Sequence, residues 1–442
     1  MRSRREFLAM LGCSAASIAG GLQPCEAAAT GVAEIDRDGR YEGMDDSAGW
    51  RRDALRRIDE IRQQDFTLQL ADRSGAPHKG VEVDLGQYRH HFGFGGGVRL
   101  ERLFGDRHAR EVRDEYLALS ERLFHKVVSL NALKWKHIDR NAPYIESFFD
   151  WAERRELPVR GHTLVWPSFK RAPDHVSRFA DDPVGLAKVI REHIERTVFR
   201  FRGRVAEWDV LNEPFTEHQY MDLLGENVVN DWFGQVKEID PAAKRYVNDF
   251  GVLTRVSDKH REYYYEWLVR MLEFGAPIQG IGFQAHNPSR FKLTSPTTVL
   301  ATLDKFADLD LDLQITEFDV ETADVDLQAR YTEDFLIAIF SHPKTVGLMT
   351  WTPFEYGNNV VSKPLAAFYD RRLNRKPNAE VWDRLINHEW ITNHSASTDE
   401  NGCVKFRGFA GKYNVRLANA PSNEKYTIEF TPTNRDAVII AN

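Results

Sequence analysis

Short apolar runs alternate with longer amphipathic stretches over most of this chain. The runs fall at 92–94, 126–130, 158–165, 205–211, 245–248, 278–284, 313–316 and 346–351. Between and after them, apolar residues recur at helical spacing, most clearly at 108–122, 145–156, 184–200, 228–239, 260–274, 298–309, 327–340 and 379–387. A short apolar run bounded by turn residues predicts a buried strand, and apolar residues three and four apart predict an amphipathic helix. Eight strand–helix units over about 300 residues predict a (β/α)8 barrel, whose catalytic groups come from the C-terminal ends of its strands. A doubly wound open sheet also alternates in this way, but no G-x-G-x-x-G opens a helix, and the spacing in Phe92-Gly93-Phe94-Gly95-Gly96-Gly97 is wrong for a phosphate-binding turn.

The flanks follow other patterns. Residues 50–64 read as a charged amphipathic helix, and the β-prone segments 66–71 and 81–85, joined by Ser74-Gly75-Ala76-Pro77, predict an N-terminal hairpin. After about residue 391 only short β-prone pieces remain, at 403–406, 413–417, 426–430 and 438–440, which predict a small C-terminal β appendage. At the other end, Ser3-Arg4-Arg5-Glu6-Phe7-Leu8 precedes an apolar stretch (8–22) and Ala27-Ala28-Ala29, the pattern of a twin-arginine signal with its cleavage site. The apolar stretch falls short of the roughly 20 residues that span a bilayer. The expected organisation is therefore a signal at 1–29, a linker at 30–49, a helix and hairpin packed on the barrel at 50–88, the catalytic barrel at 89–390 and the appendage at 391–442. Export to the periplasm or beyond is expected, with no membrane anchor after cleavage. Cleavage after Ala29 would remove Cys13 and Cys25 and leave Cys403 without an intrachain partner.

Composition narrows the function. The 442 residues carry a formal charge of −7 with acidic and basic residues interspersed, which gives neither a basic face for nucleic acid nor a polybasic membrane patch. A neutral or small polar substrate and a monomeric chain are expected. His90 and His91 are adjacent on a strand and so point to opposite faces, which argues against a shared metal ion, and no metal or cofactor is expected.

Two stretches share one build. Trp208-Asp209-Val210-Leu211-Asn212-Glu213-Pro214 and Leu313-Gln314-Ile315-Thr316-Glu317-Phe318-Asp319-Val320 each deliver a glutamate from the end of a β-prone run. An isolated Glu is most often an exposed surface residue, but two at matching strand ends suggest paired carboxylate chemistry.

The motifs around them resemble glycoside hydrolase family 10, the endo-β-1,4-xylanases. The resemblance runs in order through Asn131-Ala132-Leu133-Lys134-Trp135, Arg160-Gly161-His162-Thr163-Leu164-Val165-Trp166, the stretch 208–214, Val247-Asn248-Asp249, Gly280-Ile281-Gly282-Phe283-Gln284-Ala285-His286, the stretch 315–320 and Trp351. The C-terminal Phe406-Arg407-Gly408-Phe409-Ala410-Gly411-Lys412-Tyr413 is similar to the tail of some members. The resemblance implies Glu213 as acid/base, Glu317 as nucleophile, Asn212 as donor to the 2-hydroxyl of the cleaved sugar, and a supporting chain of Glu317, His286 and Asp319. It also implies sugar contacts from Asn131, Lys134, His162, Trp166, Gln284 and Trp351, with a β-linked xylan-type glycan as partner. A retaining mechanism needs no cofactor. Departures are also present. Many members have Glu where this chain has Leu130 and read Trp-His-Ser-Gln where it has Trp166-Pro167-Ser168-Phe169. Asp249 is followed by Phe250-Gly251, and after Trp351 stands Glu355-Tyr356-Gly357-Asn358-Asn359 in place of a Ser-Trp-Arg lid. Loss of a buried hydrogen-bonding partner redirects specificity strongly, so a retaining glycosidase acting on a decorated or different β-glycan is an open alternative, as is a non-catalytic carbohydrate-binding protein.

Overall fold

The computed structural model describes residues 40–105, 110–254, 257–355, 364–418 and 425–441. The expected signal at 1–29 lies outside the described residues.

Eight parallel strands close on themselves: β3 (Gly93–Val98), β4 (Lys126–Ser129), β5 (Val159–Gly161), β6 (Glu207–Asn212), β7 (Lys244–Asp249), β8 (Gly280–Phe283), β10 (Asp312–Val320) and β11 (Thr345–Thr350). Each pairs with the next, and β11 pairs with β3, Gly347 opposite Gly93, to complete the ring. All eight expected runs are barrel strands. A two-residue strand, β9 (His286–Asn287), adds to the far end of β10. Helices follow the strands and bury one stripe each. In α10 (Val325–Ser341) the stripe widens until Tyr331, Phe335, Ile339 and Phe340 are all covered. The helix expected at 145–156 starts earlier, at Ile138 of α4 (Ile138–Arg154), and carries Pro143 inside it.

The barrel floor is polar. Lys126, Arg160, Glu207 and Gln314 point inward where branched aliphatic residues are usual, and they satisfy one another: Arg160 Nη1 donates to Glu207 Oε1 at 2.7 Å, Lys126 Nζ to Glu207 Oε2 at 2.8 Å and Gln314 Nε2 to Glu207 Oε1 at 2.6 Å. Burial would push the Glu207 carboxyl up, but Lys126 and Arg160 outweigh it and hold it near 2. Nearer the mouth, Leu130 fills the space that Gly97 leaves open, where an added Cβ would lie 2.3 Å from Leu130 Cδ2.

The flanking segments correct the expected organisation. β1 (Gln63–Ala71) and β2 (Glu82–His90) do not pair with each other as a hairpin. β1 is the middle strand of a three-stranded sheet between β13 (Cys403–Phe409) and β16 (Asp436–Ile440). β2 lies in a four-stranded sheet ordered β12 (Asn393–Ser397), β2, β14 (Gly411–Leu417), β15 (Tyr426–Phe430). The two sheets face each other across their own core of Phe66, Leu68, Leu70, Val83, Leu85, Val404, Phe406, Tyr413, Val415 and Phe430. Both N-terminal strands bury alternate residues, so each needs an apolar sheet opposite, and the C-terminal strands supply their neighbours. Hairpin and appendage are thus one β-sandwich. The segment expected as a linker ends anchored: Tyr41 is buried, and its hydroxyl donates to Asp334 Oδ2 at 2.6 Å.

α1 (Gly49–Ile61) links sandwich and barrel through the residue after it. Arg62 donates to Phe340 O at 2.7 Å, His342 O at 2.6 Å and Thr345 O at 3.0 Å, and stacks over Phe92 and Phe340.

Candidate active site

Glu213 follows directly on β6, the fourth barrel strand. Its backbone takes φ 53°, a left-handed conformation uncommon outside glycine, and its N–H donates to Asn248 O at 2.7 Å. The turn aims its carboxyl into the barrel mouth, where Gln284 Nε2 donates to Oε1 at 2.9 Å and Trp166 Nε1 to Oε2 at 3.2 Å. Burial raises its pKa to about 7 against the Gln284 hydrogen bond, and the charges of Asp249 and Glu317 push the same way as burial.

Glu317 stands in β10, the seventh strand, at a register shift against β11. Asn248 Nδ2 donates to its Oε1 at 3.0 Å, and His286 Nε2 lies 3.2 Å from its Oε2. The other His286 nitrogen, Nδ1, lies 2.7 Å from Asp319 Oδ2, so both ring nitrogens face carboxylates, an arrangement that the doubly protonated ring satisfies in full. The expected chain of Glu317, His286 and Asp319 is therefore present. Burial would raise the Glu317 pKa, yet the His286 hydrogen bond and the charges of His162, His286 and Lys134 bring it down to about 2.

Asn212 is fully buried. Its Oδ1 accepts from Asn248 Nδ2 at 3.0 Å, and its own Nδ2 has no partner among the described residues. A buried amide N–H beside Glu213 with no acceptor is a donor that a ligand hydroxyl can satisfy. His162 is fixed by Asp209, whose Oδ2 lies 2.7 Å from its Nδ1, and Asp209 is paired in turn with Arg160 of the barrel floor. The Trp351 ring stands edge-on to both His162, at 5.2 Å between centroids, and His286, at 6.5 Å. Lys134 Nζ lies 5.0 Å and 5.4 Å from the ring centres of Trp166 and Trp351. Asn131 borders a recess of about 170 Å³ with Leu130, Arg99 and Arg140, and no contact joins it to the two glutamates.

Sequence reasoning did not single out Asn248, Asp209 or Arg160 as site residues. Asn248 bonds to both Asn212 and Glu317, with its own orientation fixed by Thr316 Oγ1 donating to Asn248 Oδ1 at 2.7 Å. All three lie in the strand-end stretches 160–166, 208–214 and 247–249. The signal was a polar residue on a strand whose other neighbours are apolar.

The sequence model of glycosyl hydrolase family 10 matches residues 97–382, well over half of the chain. The chain belongs to glycosyl hydrolase family 10. Among similar proteins, the β-1,4-xylanase of Dictyoglomus thermophilum is 32% identical over 221 residues, covering 46% of this chain and 59% of that protein. Endo-1,4-beta-xylanase 1 of Arabidopsis thaliana is 24% identical over 384 residues, covering 84% of this chain and 38% of that protein. Anti-sigma-I factor RsgI6 of Acetivibrio thermocellus is 26% identical over 382 residues, covering 85% of this chain and 48% of that protein. The chain thus spans less than two thirds of the length of each of these relatives. Among solved structures, native xylanase 10B from Thermotoga maritima matches with a TM-score of 0.58 at 24% identity, over 67% of this chain and 96% of that one. Xylanase 10B from Thermotoga petrophila in complex with xylobiose also matches with a TM-score of 0.58, over 68% of this chain and 95% of that one. Both likenesses concern the family 10 barrel fold.

Proposed function

We propose that this family 10 chain is an exported retaining endo-β-1,4-xylanase, with Glu213 as acid/base and Glu317 as nucleophile. The observation that carries the reading is the opposed tuning of two glutamates in one hydrogen-bonded site, half-buried Glu213 at about 7 and buried Glu317 at about 2. A pair of carboxyls driven apart in this way divides into a proton donor and an anion at neutral pH. In the first step Glu317 Oε attacks the anomeric carbon while Glu213 transfers its proton to the departing glycosidic oxygen, leaving a glycosyl ester on Glu317. The charge on Glu317 is lost in that step. It had been raising the Glu213 pKa, so Glu213 becomes the stronger acid and its carboxylate is ready to take a proton from the water that cleaves the ester. The unpartnered Asn212 Nδ2 supplies a hydrogen bond to a sugar hydroxyl, and His162, Lys134, Gln284 and Trp351 line the same space.

Incubation with xylan, mixed-linkage glucan and cellulose, reading reducing ends, tests the substrate, and proton NMR of the first-formed anomer tests retention. Release from xylan with the β-anomer first is expected. An α-anomer formed first would mean inversion, which requires carboxyls about 6.5–9.5 Å apart in place of 5–5.5 Å. The buried Leu130 and the half-buried Phe169 favour a second reading, a retaining glycosidase acting on another β-linked glycan, and faster release from the glucan would support it. Export is tested by changing Arg4 and Arg5 to Lys, which should stop translocation if the twin-arginine route is used.

A further inference from the structure

Four cations gather on the wall of the cleft that carries Trp166. The Arg171 guanidinium lies 3.8 Å from the Trp166 ring centre, and Lys134 Nζ approaches the same ring at 5.0 Å. Lys136 Nζ donates to Lys170 O at 3.1 Å, which ties the two segments together. Their carboxylate partners are fewer. Glu217, nearly buried, takes both Lys170 at 2.7 Å and Arg171 at 3.2 Å, and Asp174 lies 3.6 Å from Lys136. Lys134 faces the charge of Glu317, so the local excess rests on Lys136, Lys170 and Arg171 against Glu217 and Asp174. In a chain of net charge −7, a positive excess beside the cleft is a local feature that attracts and selects an anionic ligand.

The cations are also reachable. The Lys170 side chain is 66% exposed and that of Arg171 is 37% exposed, so both can meet a ligand while Glu217 anchors them from below. The arrangement gives Trp166 a role other than a bare platform for sugar, because Arg171 is in van der Waals contact with its ring. Arg171 Nε and Nη2 face Glu217 Oε1 at 3.2 Å, which leaves its Nη1 side, with the exposed Lys170 beside it, to meet a ligand carboxylate.

We propose that this wall reads a carboxylate on the substrate, so that the preferred substrate is a β-linked glycan bearing uronic acid, with Arg171 and Lys170 binding the carboxylate. The proposal rests on the glycosidase reading of Glu213 and Glu317, and its test keeps the two separable. Initial rates are measured on glucuronoxylan and on the same polymer after its carboxyl groups have been reduced to alcohols. The native polymer should be hydrolysed with kcat/KM about fivefold higher, the size of one solvent-exposed ion pair, with the difference in KM and an advantage that shrinks with added NaCl. Lys170→Gln, at an exposed position where folding is not at risk, should bring the ratio of the two polymers toward one, as should Arg171→Gln. Equal kcat/KM on both polymers, or a ratio that neither variant moves, overturns the proposal. If neither polymer is cleaved, the glycosidase reading fails, and titration calorimetry with a glucuronate-bearing xylo-oligosaccharide and its carboxyl-reduced form decides this one: tighter binding of the acid supports it, and equal or absent binding overturns it.

Discussion

The Glu213 carboxyl is most stable protonated, and this fixes how the protein should respond to pH. Its folded pKa of about 7 lies above the value of about 4.3 for a free glutamate, so the folded state holds a proton that the unfolded chain releases between those values. Stability attributable to this group is full below about pH 4 and is lost as pH rises through 7. Glu213→Gln removes the titration and should make the protein more stable than wild type by about 2–3 kcal/mol at pH 8, with no such gain at pH 4, as urea unfolding at the two values would show. Glu317 works in the opposite sense: lowered to about 2, it contributes stability above pH 4 that is lost as pH falls toward 2. Under the proposed roles, activity should fall as Glu213 ionises near pH 7. The roles are separable by chemistry. With azide present, Glu213→Ala acting on an aryl β-xyloside should yield a β-glycosyl azide, and Glu317→Ala an α-glycosyl azide. Products of the same configuration would refute the assignment. Both glutamates are legible in the sequence because each ends a β-prone run, whereas the role of Asn248 is not, because its bonds to Asn212 and Glu317 join three strands and leave no spacing to read.

At the scale of elements, the chain's alternation identified all eight barrel strands, since a strand covered on both faces must be an apolar run. What it could not give was pairing outside the barrel. β12, with the sequence Asn393-His394-Ser395-Ala396-Ser397, has almost no apolar signal and is a strand because it borders β2. β1 and β2 looked like a hairpin because a turn joins them, but alternation says only that a strand has one buried face, and nothing about which sheet provides it. α1 meets the barrel through buried Ala54 and Ile58, the Arg51–Asp334 ion pair and Arg57 donating to Ser341, and the residue after it, Arg62, adds three backbone contacts. Arg62 donates to carbonyls of Phe340, His342 and Thr345, and although His342 O keeps the Thr345 hydroxyl and N–H, Arg62→Ala should cost about 2–3 kcal/mol, read as a lower midpoint in guanidinium unfolding with little change in kcat. A loss below about 1 kcal/mol would show that water replaces the guanidinium.

For the whole molecule, the sandwich joins β1 and β2, before the barrel, to the strands after it. Removal of residues 391–442, expected from the sequence to trim an appendage, should instead strip β1 of both neighbours and β2 of both of its own, and expose Phe66, Leu68 and Leu85. The truncated chain should be insoluble or aggregated by size-exclusion chromatography, and a monomeric, fully active product would contradict this account. The same architecture imposes an order on biosynthesis. The ribosome makes β1 and β2 first, yet their partners begin only at Asn393, so at 5–20 residues per second the two strands wait roughly 15–60 s with open edges. The barrel can close during that interval, but the sandwich can close only once β16 has been made, and its completion is a record that translation passed Ile440.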